Sequence, residues 1–188
     1  MTDGNSLAQV DALKRIIEIT ALLNSTLNLD ELLDKILVSA AELIGTETSS
    51  LLLVEEGTGD LSVHIATGPT SEEAKRQHVP AGKGIAGWVV EHGEPAVVES
   101  ARDDERFYSD MDAATGFETR SMLALPLKVH GETIGVMELI NKRDGSFTDD
   151  DVELASALVD QAAIAIDNAR LSARLANALV ETRRSYRL

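Results

Sequence analysis

Apolar side chains recur every three or four residues in two stretches near the start of the chain. The first stretch spans residues 5–23, and the second follows Asn28 and continues to Leu43. This spacing is that of one helix face. Asn28 with an acid, Glu31, three positions later is typical of a helix start, and Gly45 is typical of a helix end. The pattern therefore predicts two helices before residue 46.

A strand pattern follows these helices. Residues 49–55 and 61–67 flank a turn-rich stretch, which predicts a hairpin. Leucine and valine then alternate with other residues over 121–130, and the chain turns back through residues 133–141. This period of two predicts a second pair of strands. Pro126 cannot donate a ladder hydrogen bond, so we expect its strand to lie at an edge or to pair irregularly there.

The segment between the two hairpins is less regular. A Gly-rich turn at 82–84 leads into a predicted short helix at 85–91, which ends at Gly93, and a short strand follows at 96–99. Residues 100–120 are acidic and have no clear period, and we call this segment the excursion. We expect the excursion to be irregular or partly helical.

The last predicted element is the longest. Thr148 and the three aspartates that follow it place a cap and negative charge at a helix start. From Val152 to Val180, apolar residues alternate steps of three and four over four heptads, as in a coiled coil. A second stripe, from Leu154 to Leu179, is interrupted by polar residues. We expect the two stripes to contact two different surfaces, the protein's own sheet and a second protomer.

The alternative is that both stripes form one broad core face. The helix reaches the last few residues without a Gly or Pro stop. We therefore expect the chain to be part of a longer protein in which this helix continues.

Composition and charge exclude several function classes. The chain has 188 residues, the size of one domain, and its net charge of -15 disfavours a nucleic-acid partner because phosphate binding needs a basic surface. It has no cysteine, which excludes disulfides, thiolate nucleophiles, Cys-ligated zinc and thioether-linked chromophores. No apolar run approaches the roughly 18–20 residues of a membrane span, and residues 1–4 lack the basic start of a signal peptide. We predict a cytoplasmic domain with no membrane partner.

The Gly-rich turn invites comparison with a nucleotide-binding loop. Residues 82–87 match the pattern G-x-G-x-x-G, but a dinucleotide fingerprint also needs a preceding core strand, and residues 77–81 do not form one. Two interpretations stay open. The turn presents amide groups at a helix start, which suit a phosphate or carboxylate, or it is a tight turn that needs a positive φ.

Other candidate chemistry is weak. The four histidines have no spacing typical of metal ligands, and the aspartates of the excursion match no calcium loop, so we predict no metal site. No Ser-His-Asp arrangement can be assembled with any specificity, and the residues alone predict no catalytic activity. Haem ligation by a histidine stays open.

The order of these elements and three runs of sequence resemble a GAF domain. The runs are VPAGKGIAGWV at 79–89, TGFETRS at 115–121 and GVMELINK at 135–142. The resemblance implies an α+β fold in which a central antiparallel sheet, as in GAF and PAS domains, has the terminal helices packed on one face and a ligand pocket on the other. It divides the chain into a signalling or dimerisation helix at 1–27, a GAF domain at 28–170, and a helical extension at 171–188 towards an output domain.

Within that family, the chain is most similar to the cyclic-nucleotide-binding GAF domains of phosphodiesterases and some bacterial adenylyl cyclases. Their motif is Asn-Lys, a spacer, Phe, three residues and Asp-Glu. Asn141, Lys142, Phe147 and Asp151 match it, whereas Val152 stands in place of Glu. In those domains the Lys–Asp ion pair closes a lid over the nucleotide without touching it, a role that Lys142 and Asp151 would inherit. In other GAF domains the same residues cap the last helix.

The resemblance also implies a set of pocket residues. They match eight positions of this chain: Ser50, Ile85, Ala86, Tyr108, Asp112, Thr115, Thr119 and Glu138. The Ile-Ala pair would contact the purine and phosphate, and the remaining residues would supply hydroxyl groups, acids and an aromatic wall. The base-reading acid sometimes found after the second strand is replaced by Thr67, so the resemblance does not separate cAMP from cGMP.

The resulting prediction is a sensory, non-catalytic module that binds cAMP or cGMP. We expect a homodimer through the first and last helices, in which ligand binding orders the excursion and the last helix carries the change to an output domain. Two alternatives remain: a GAF domain that binds no ligand and only joins protomers, and a haem sensor. GAF-type methionine sulfoxide reductases use cysteines, so the cysteine-free sequence excludes that activity.

Overall fold

The computed structural model describes residues 28–185, with side chains as far as residue 178. The helix predicted over residues 5–23, and the whole of the segment 1–27, lie outside the described residues. The described elements are, in chain order, α1 (Leu29–Ile44), β1 (Thr46–Val54), β2 (Leu61–Ala66), α2 (Ser71–Ala74), β3 (His78–Val79), α3 (Gly84–His92), β4 (Ala96–Val98), a 3₁₀ turn (Ala101–Asp103), α4 (Asp110–Thr115), β5 (Met122–Val129), β6 (Glu132–Lys142) and α5 (Asp149–Ser185).

The strands form one six-stranded antiparallel sheet. Their order is β3-β2-β1-β6-β5-β4, so the two predicted hairpins, β1–β2 and β5–β6, are joined where β1 pairs with β6. β4 pairs with β5 only over Met122–Ala124. The outer side of β5 is therefore free at Pro126, which confirms the expectation of an edge at this position. With its helices, the sheet gives the predicted α+β fold.

The helix boundaries follow the predicted signals. The Asn28 side chain accepts a hydrogen bond from the Asp30 amide at 3.0 Å and caps the start of α1. Gly45 ends α1 with a φ of 76°, and its amide donates to the Ala41 carbonyl at 2.9 Å. The excursion is partly helical, as expected, with a 3₁₀ turn and the short α4.

Each face of the sheet carries its own hydrophobic cluster. α1 and α5 pack together on one face, and side chains such as Leu33 and Leu158 are fully buried there against β5 and β6. We call the opposite face the pocket face. It is covered by α3 and by the excursion, whose side chains pack against a second cluster that includes Leu52 and Val136. This two-sided arrangement is the one that the resemblance implied.

The two apolar stripes of α5 merge over the first half of the helix. Ala155 and Val159 of one stripe and Leu158 and Ala165 of the other are all buried in the same cluster. Over this part of α5, the expectation that the stripes contact two different surfaces is wrong, because α1 and the sheet together cover a broad face. Beyond Ile166 the members of both stripes become partly or fully exposed as far as residue 178.

Three apolar residues on α5, one of them Leu175 of the second stripe, face away from the sheet. Ile164, Leu171 and Leu175 are 47%, 55% and 59% exposed. Their spacing of seven and four places them on one side of the helix. In residues 28–185, no helix is long and apolar enough to cross a membrane.

Candidate functional site

A row of small side chains crosses the pocket face of the sheet. Strand register places Ala66, Ser50, Glu138, Ala124 and Ala96 side by side on five strands. Directly paired residues in a sheet share a face, so these five side chains form one line. Four of them are small, and only Glu138 reaches far above the backbone. The row is a shallow floor with one carboxyl group on it.

Ser50 and Glu138, both predicted as site residues, are in contact on this floor. The Ser50 hydroxyl donates to Glu138 Oε2 at 2.8 Å. Burial raises the pKa of Glu138 to about 7, and the hydrogen bond from Ser50 opposes that rise. A large fraction of the Glu138 side chains is therefore protonated at neutral pH and can donate a hydrogen bond.

The start of α3 packs in the same hydrophobic cluster as three of the floor residues, Ala66, Ala96 and Ala124. Ile85 and Ala86 are buried, and their side chains belong to the second hydrophobic cluster. No side chain caps this end of α3, where Lys83 occupies the N-cap position, so the amides of its first turn have no side-chain partner. The Gly-rich turn also fits the second interpretation, because Gly82 and Gly84 have φ values of 73° and 71°. The turn therefore has the feature that each interpretation requires: amides without a side-chain partner for the anion site, and glycines at positive φ for the tight turn.

Asp112 and Thr119 fasten the two ends of the second half of the excursion together. Asp112 Oδ1 accepts from the Thr119 hydroxyl and Asp112 Oδ2 from the Thr119 amide, both at 2.7 Å. Thr115 lies between them and bonds locally, its hydroxyl donating to the Met111 carbonyl at 2.9 Å. A cavity of about 400 Å³ opens beside the Asp112–Thr119 pair.

Tyr108 lies apart from this pair. It lines a second cleft of about 370 Å³ between the excursion and α3, together with Gly82, Lys83 and Gly84. Phe107, Tyr108 and Met111 also pack against the second hydrophobic cluster. Side chains of the excursion thus cover the pocket face in this conformation, and neither Ser50 nor Glu138 lines either cavity. Among the predicted site residues, the structure brings together Ser50 with Glu138 and Asp112 with Thr119.

Asn141 holds the end of the excursion in place, a role that the sequence analysis missed. It is fully buried, and its φ is 60°, which is uncommon for a residue other than glycine. Its Oδ1 accepts from the Arg120 and Ser121 amides at 2.7 and 3.2 Å. Its Nδ2 donates to Glu47 Oε2 at 2.9 Å and to the Glu118 carbonyl at 2.8 Å. The one available signal was an Asn at the end of a strand, since Asn tolerates this conformation better than most residues.

The same hydrogen bond from Asn141, with a second one from Arg120, holds the pKa of Glu47 below its usual range. Glu47 therefore stays ionised at neutral pH and links β1 to the end of the excursion. Thr119 lies between Glu118 and Arg120, so this network fixes one of the predicted pocket residues.

Lys142 forms the predicted ion pair with Asp151. Both side chains are largely buried, 13% and 14% exposed, and the pair joins the end of β6 to the start of α5. Asp151 also accepts from the Thr148 amide at 2.9 Å, while the Thr148 hydroxyl accepts from the Asp151 amide at 3.2 Å. This is a capping box at the helix start. Asp151 therefore has a capping role as well as the ion pair.

The four histidines are all exposed and lie away from the floor. Three of them pair with acids: His64 with Asp30 at 2.9 Å, His78 with Glu55 at 3.1 Å and His130 with Asp167 at 3.3 Å. His92 Nδ1 contacts the Trp88 carbonyl at 2.9 Å. In residues 28–185, no three histidine or acidic side chains are grouped so that they could hold a metal ion.

Comparison with known proteins identifies relatives over most of the chain. The family model of the GAF domain matches residues 28–166. The chain is 37% identical over 170 residues to the dual 3',5'-cyclic-AMP and -GMP phosphodiesterase 11A of Takifugu rubripes, covering 84% of this chain and 19% of that protein. It is 31% identical over 163 residues to the protein named probable 3',5'-cyclic phosphodiesterase pde-5 of Caenorhabditis elegans, covering 80% and 22%. The chain thus spans about a fifth of the length of these relatives.

Solved structures share the fold at lower identity. The GAF domain of a phosphoenolpyruvate-protein phosphotransferase from Coxiella burnetii superposes with a TM-score of 0.78 at 22% identity, covering 88% of this chain and 98% of that one. The free methionine-R-sulfoxide reductase of Neisseria meningitidis, solved with its substrate, gives 0.73 at 17% identity, covering 92% and 95%. These likenesses establish the architecture of the sheet and its helices.

Proposed function

The chain belongs to the GAF domain family, and we propose that it is a cytoplasmic sensory module that binds a cyclic nucleotide, cAMP or cGMP, on the pocket face of its sheet. The relative named a dual 3',5'-cyclic-AMP and -GMP phosphodiesterase supports the choice of ligand class. Since the chain spans only part of those relatives, the proposal concerns binding and signalling rather than their catalytic activity.

The observation that carries this proposal is the floor with the Ser50–Glu138 pair, next to the start of α3. The small side chains of the row would leave room for a planar base between the sheet and α3 once the side chains of the excursion move aside. The hydroxyl of Ser50 and the carboxyl of Glu138 offer hydrogen bonds at its centre. The uncapped amides of the first turn of α3 suit the cyclic phosphate.

An anionic ligand must bind to a chain whose net charge is -15. Local groups offset this unfavourable field. The helix start presents partial positive charge, and the raised pKa of Glu138 means that this carboxyl is partly uncharged at neutral pH. These two features reduce the repulsion that the net charge would impose on an anion at the site.

We further propose the relay that the resemblance implies. The segment 1–27 and the extension 171–188 would join two protomers and lead to an output domain, with 28–170 as the sensory unit. Ligand would favour one position of the excursion, and Asn141 and Lys142 would transmit that position to α5. Such a change requires a ligand with different affinities for the two arrangements.

One observation favours a second candidate, a GAF domain that binds no ligand and only joins protomers. Phe107, Tyr108 and Met111 fill the space over the second hydrophobic cluster. In the ligand-binding proposal these side chains must move aside, whereas in this alternative they stay in place. A haem sensor has less support, because all four histidines lie at the surface.

A thermal-shift screen separates these candidates. We expect cAMP or cGMP at about 100 times its dissociation constant to stabilise the chain by about 2.7 kcal/mol, which corresponds to a rise in Tm of about 5–10 °C. The matched controls are 5'-AMP and 5'-GMP, which carry the same bases without the cyclic phosphate. Constant Tm values with both cyclic nucleotides at millimolar concentration would favour the ligand-free alternative.

A further inference from the structure

The excursion is attached to α3 through an aromatic ring outside the predicted pocket set. The guanidinium carbon of Arg106 lies 4.8 Å from the centre of the Trp88 ring. The His92 ring, one helical turn further along α3, stacks on Trp88 with centres 4.3 Å apart and an interplanar angle of 15°. Guanidinium groups interact favourably with indole faces at such distances.

Asp104 fixes the orientation of the Arg106 side chain. Its two carboxylate oxygens accept from Arg106 Nε at 2.9 Å and Nη2 at 2.7 Å, and Oδ1 also accepts from the Arg106 amide at 2.9 Å. A two-pronged pair of this kind sets the plane of the guanidinium before it meets the ring. These hydrogen bonds hold the pKa of Asp104 below its usual range, so the pair stays charged at neutral pH.

A second contact lies one turn away on the same side of α3. Tyr108 packs against Gly84, where an added Cβ would lie 3.0 Å from the Tyr108 Cβ. Residues 84 and 88 are four apart and therefore share a helix face. The segment 104–108 thus contacts α3 at both Gly84 and Trp88, and the cleft between excursion and helix is lined by both contacts.

We infer that Arg106 is a positioning residue whose contact with Trp88 latches the segment 104–108 over the pocket face and limits access to it. The latch itself is a property of the free protein, whereas its effect on ligand exchange rests on the proposed function. Releasing Arg106 removes one of these two contacts with α3, so the segment lifts more often. Phe107 and Tyr108 then leave the space that a ligand would need.

The chain provides its own probe of this contact. Trp88 is the one tryptophan in the sequence, so intrinsic fluorescence reports on the partner of Arg106 directly. In Arg106→Ala we expect at least a twofold increase in the acrylamide quenching constant of Trp88 and faster amide hydrogen exchange over residues 104–108. Arg106→Lys, which keeps the charge but loses the two-pronged pair with Asp104, should be intermediate. Arg76→Ala, an exposed cation outside this contact, should match the wild-type chain.

Ligand exchange is the second readout. A cation–π contact of typical strength corresponds to a factor of about 2–30 in the latch equilibrium. Because the latched segment occupies the space that a ligand would need, we expect stopped-flow mixing with cAMP or cGMP to show association faster by a factor in this range in Arg106→Ala, with a smaller change in Arg106→Lys.

Three different experimental results would contradict different parts of this inference. Unchanged quenching and hydrogen exchange in both Arg106 variants would overturn the latch, whatever the protein binds. Increased quenching with an unchanged rate of nucleotide association would overturn the latch's control of access. Increased quenching in a protein that binds neither nucleotide would overturn the proposed function and the control of access together, and would leave the latch supported.

Discussion

The carboxyl group of Glu138 is the group on which the proposed recognition at the floor depends most. It is the one long side chain in a row of small ones, and its hydrogen-bonding partner is Ser50 on the neighbouring strand. Because burial raises its pKa to about 7, its proton can be gained or lost near neutral pH. The resemblance predicted both residues, but not their contact, since that depends on the register of β1 against β6.

The raised pKa of Glu138 predicts a pH dependence of stability. Between its ordinary value of 4.5 and about 7, the folded chain holds a proton that the unfolded chain has lost. The contribution of this group to the free energy of unfolding therefore falls as pH rises from 4.5 to about 7. Above pH 7 the loss reaches about 3 kcal/mol. Glu138→Gln removes this contribution, so its stability relative to the wild-type chain should be greater at pH 8 than at pH 5.

Urea denaturation at pH 5 and pH 8 measures this difference. Glu132→Gln, which removes an exposed carboxyl from the same strand, should keep the wild-type dependence. If the free energy of unfolding changes equally between pH 5 and pH 8 in the wild-type chain and in Glu138→Gln, the Glu138 carboxyl ionises in the folded chain as it does in the unfolded chain.

At the scale of elements, the sequence predicted those features whose signals are local. The Asn28 cap, the Gly45 stop and the Thr148 cap each depend on residues within a few positions, and all three are present. The free edge at Pro126 follows from the chemistry of one residue. The strand pairs were recognisable from their period of two.

The features that the sequence did not predict depend on distant partners. The side-chain hydrogen bonds of Asn141 reach residues between 20 and 94 positions away. The small-residue floor requires the register of five strands at once. The merging of the α5 stripes depends on how α1 covers them. No local pattern contains these relations, because they form only when the elements pack.

The junction of β6 with α5 provides a test at this scale. Asn141 holds the excursion, and the next residue, Lys142, holds the start of α5 through Asp151. Lys142→Ala leaves the Asp151 carboxylate buried without its cation. We expect this change to loosen the attachment of α5 to β6 and, through the adjacent Asn141, the attachment of the excursion. We expect nucleotide affinity to fall about tenfold or more in isothermal titration calorimetry, at a temperature where the variant is folded.

Lys35→Ala, which removes an exposed cation from α1, is the control for this change of charge and should bind as the wild-type chain does. An unchanged nucleotide affinity in folded Lys142→Ala would contradict the lid role of the ion pair and would leave Asp151 with its capping role alone.

At the scale of the whole molecule, the exposed apolar side chains of α5 bear on assembly. Ile164, Leu171 and Leu175 lie on one side of the helix, turned away from the protein's own sheet. Apolar residues spaced by seven and four are typical of helices that pair with one another. These three residues support the proposed homodimer. Leu175 belongs to the second stripe predicted from the sequence, whereas Ile164 and Leu171 belong to neither stripe.

Charged substitutions at these exposed apolar residues should separate the protomers. We expect Leu171→Glu with Leu175→Glu to convert a dimer into a monomer in analytical ultracentrifugation, with little effect on Tm at the low concentrations where the wild-type chain is also monomeric. Asn177→Glu places the same charge on another exposed face of α5 and should leave the dimer intact. A dimer that persists in the double variant would place the interface elsewhere.

The most direct test of the central claim is the location of nucleotide binding, measured by amide chemical shifts of the isotope-labelled chain during titration with cAMP and with cGMP. We expect saturable shifts at Ser50, Ile85, Ala86, Thr119 and Glu138 on the pocket face, and much smaller ones at Leu33 on the opposite face. Unchanged spectra with both nucleotides, or shifts confined to the face of α1 and α5, would contradict the account.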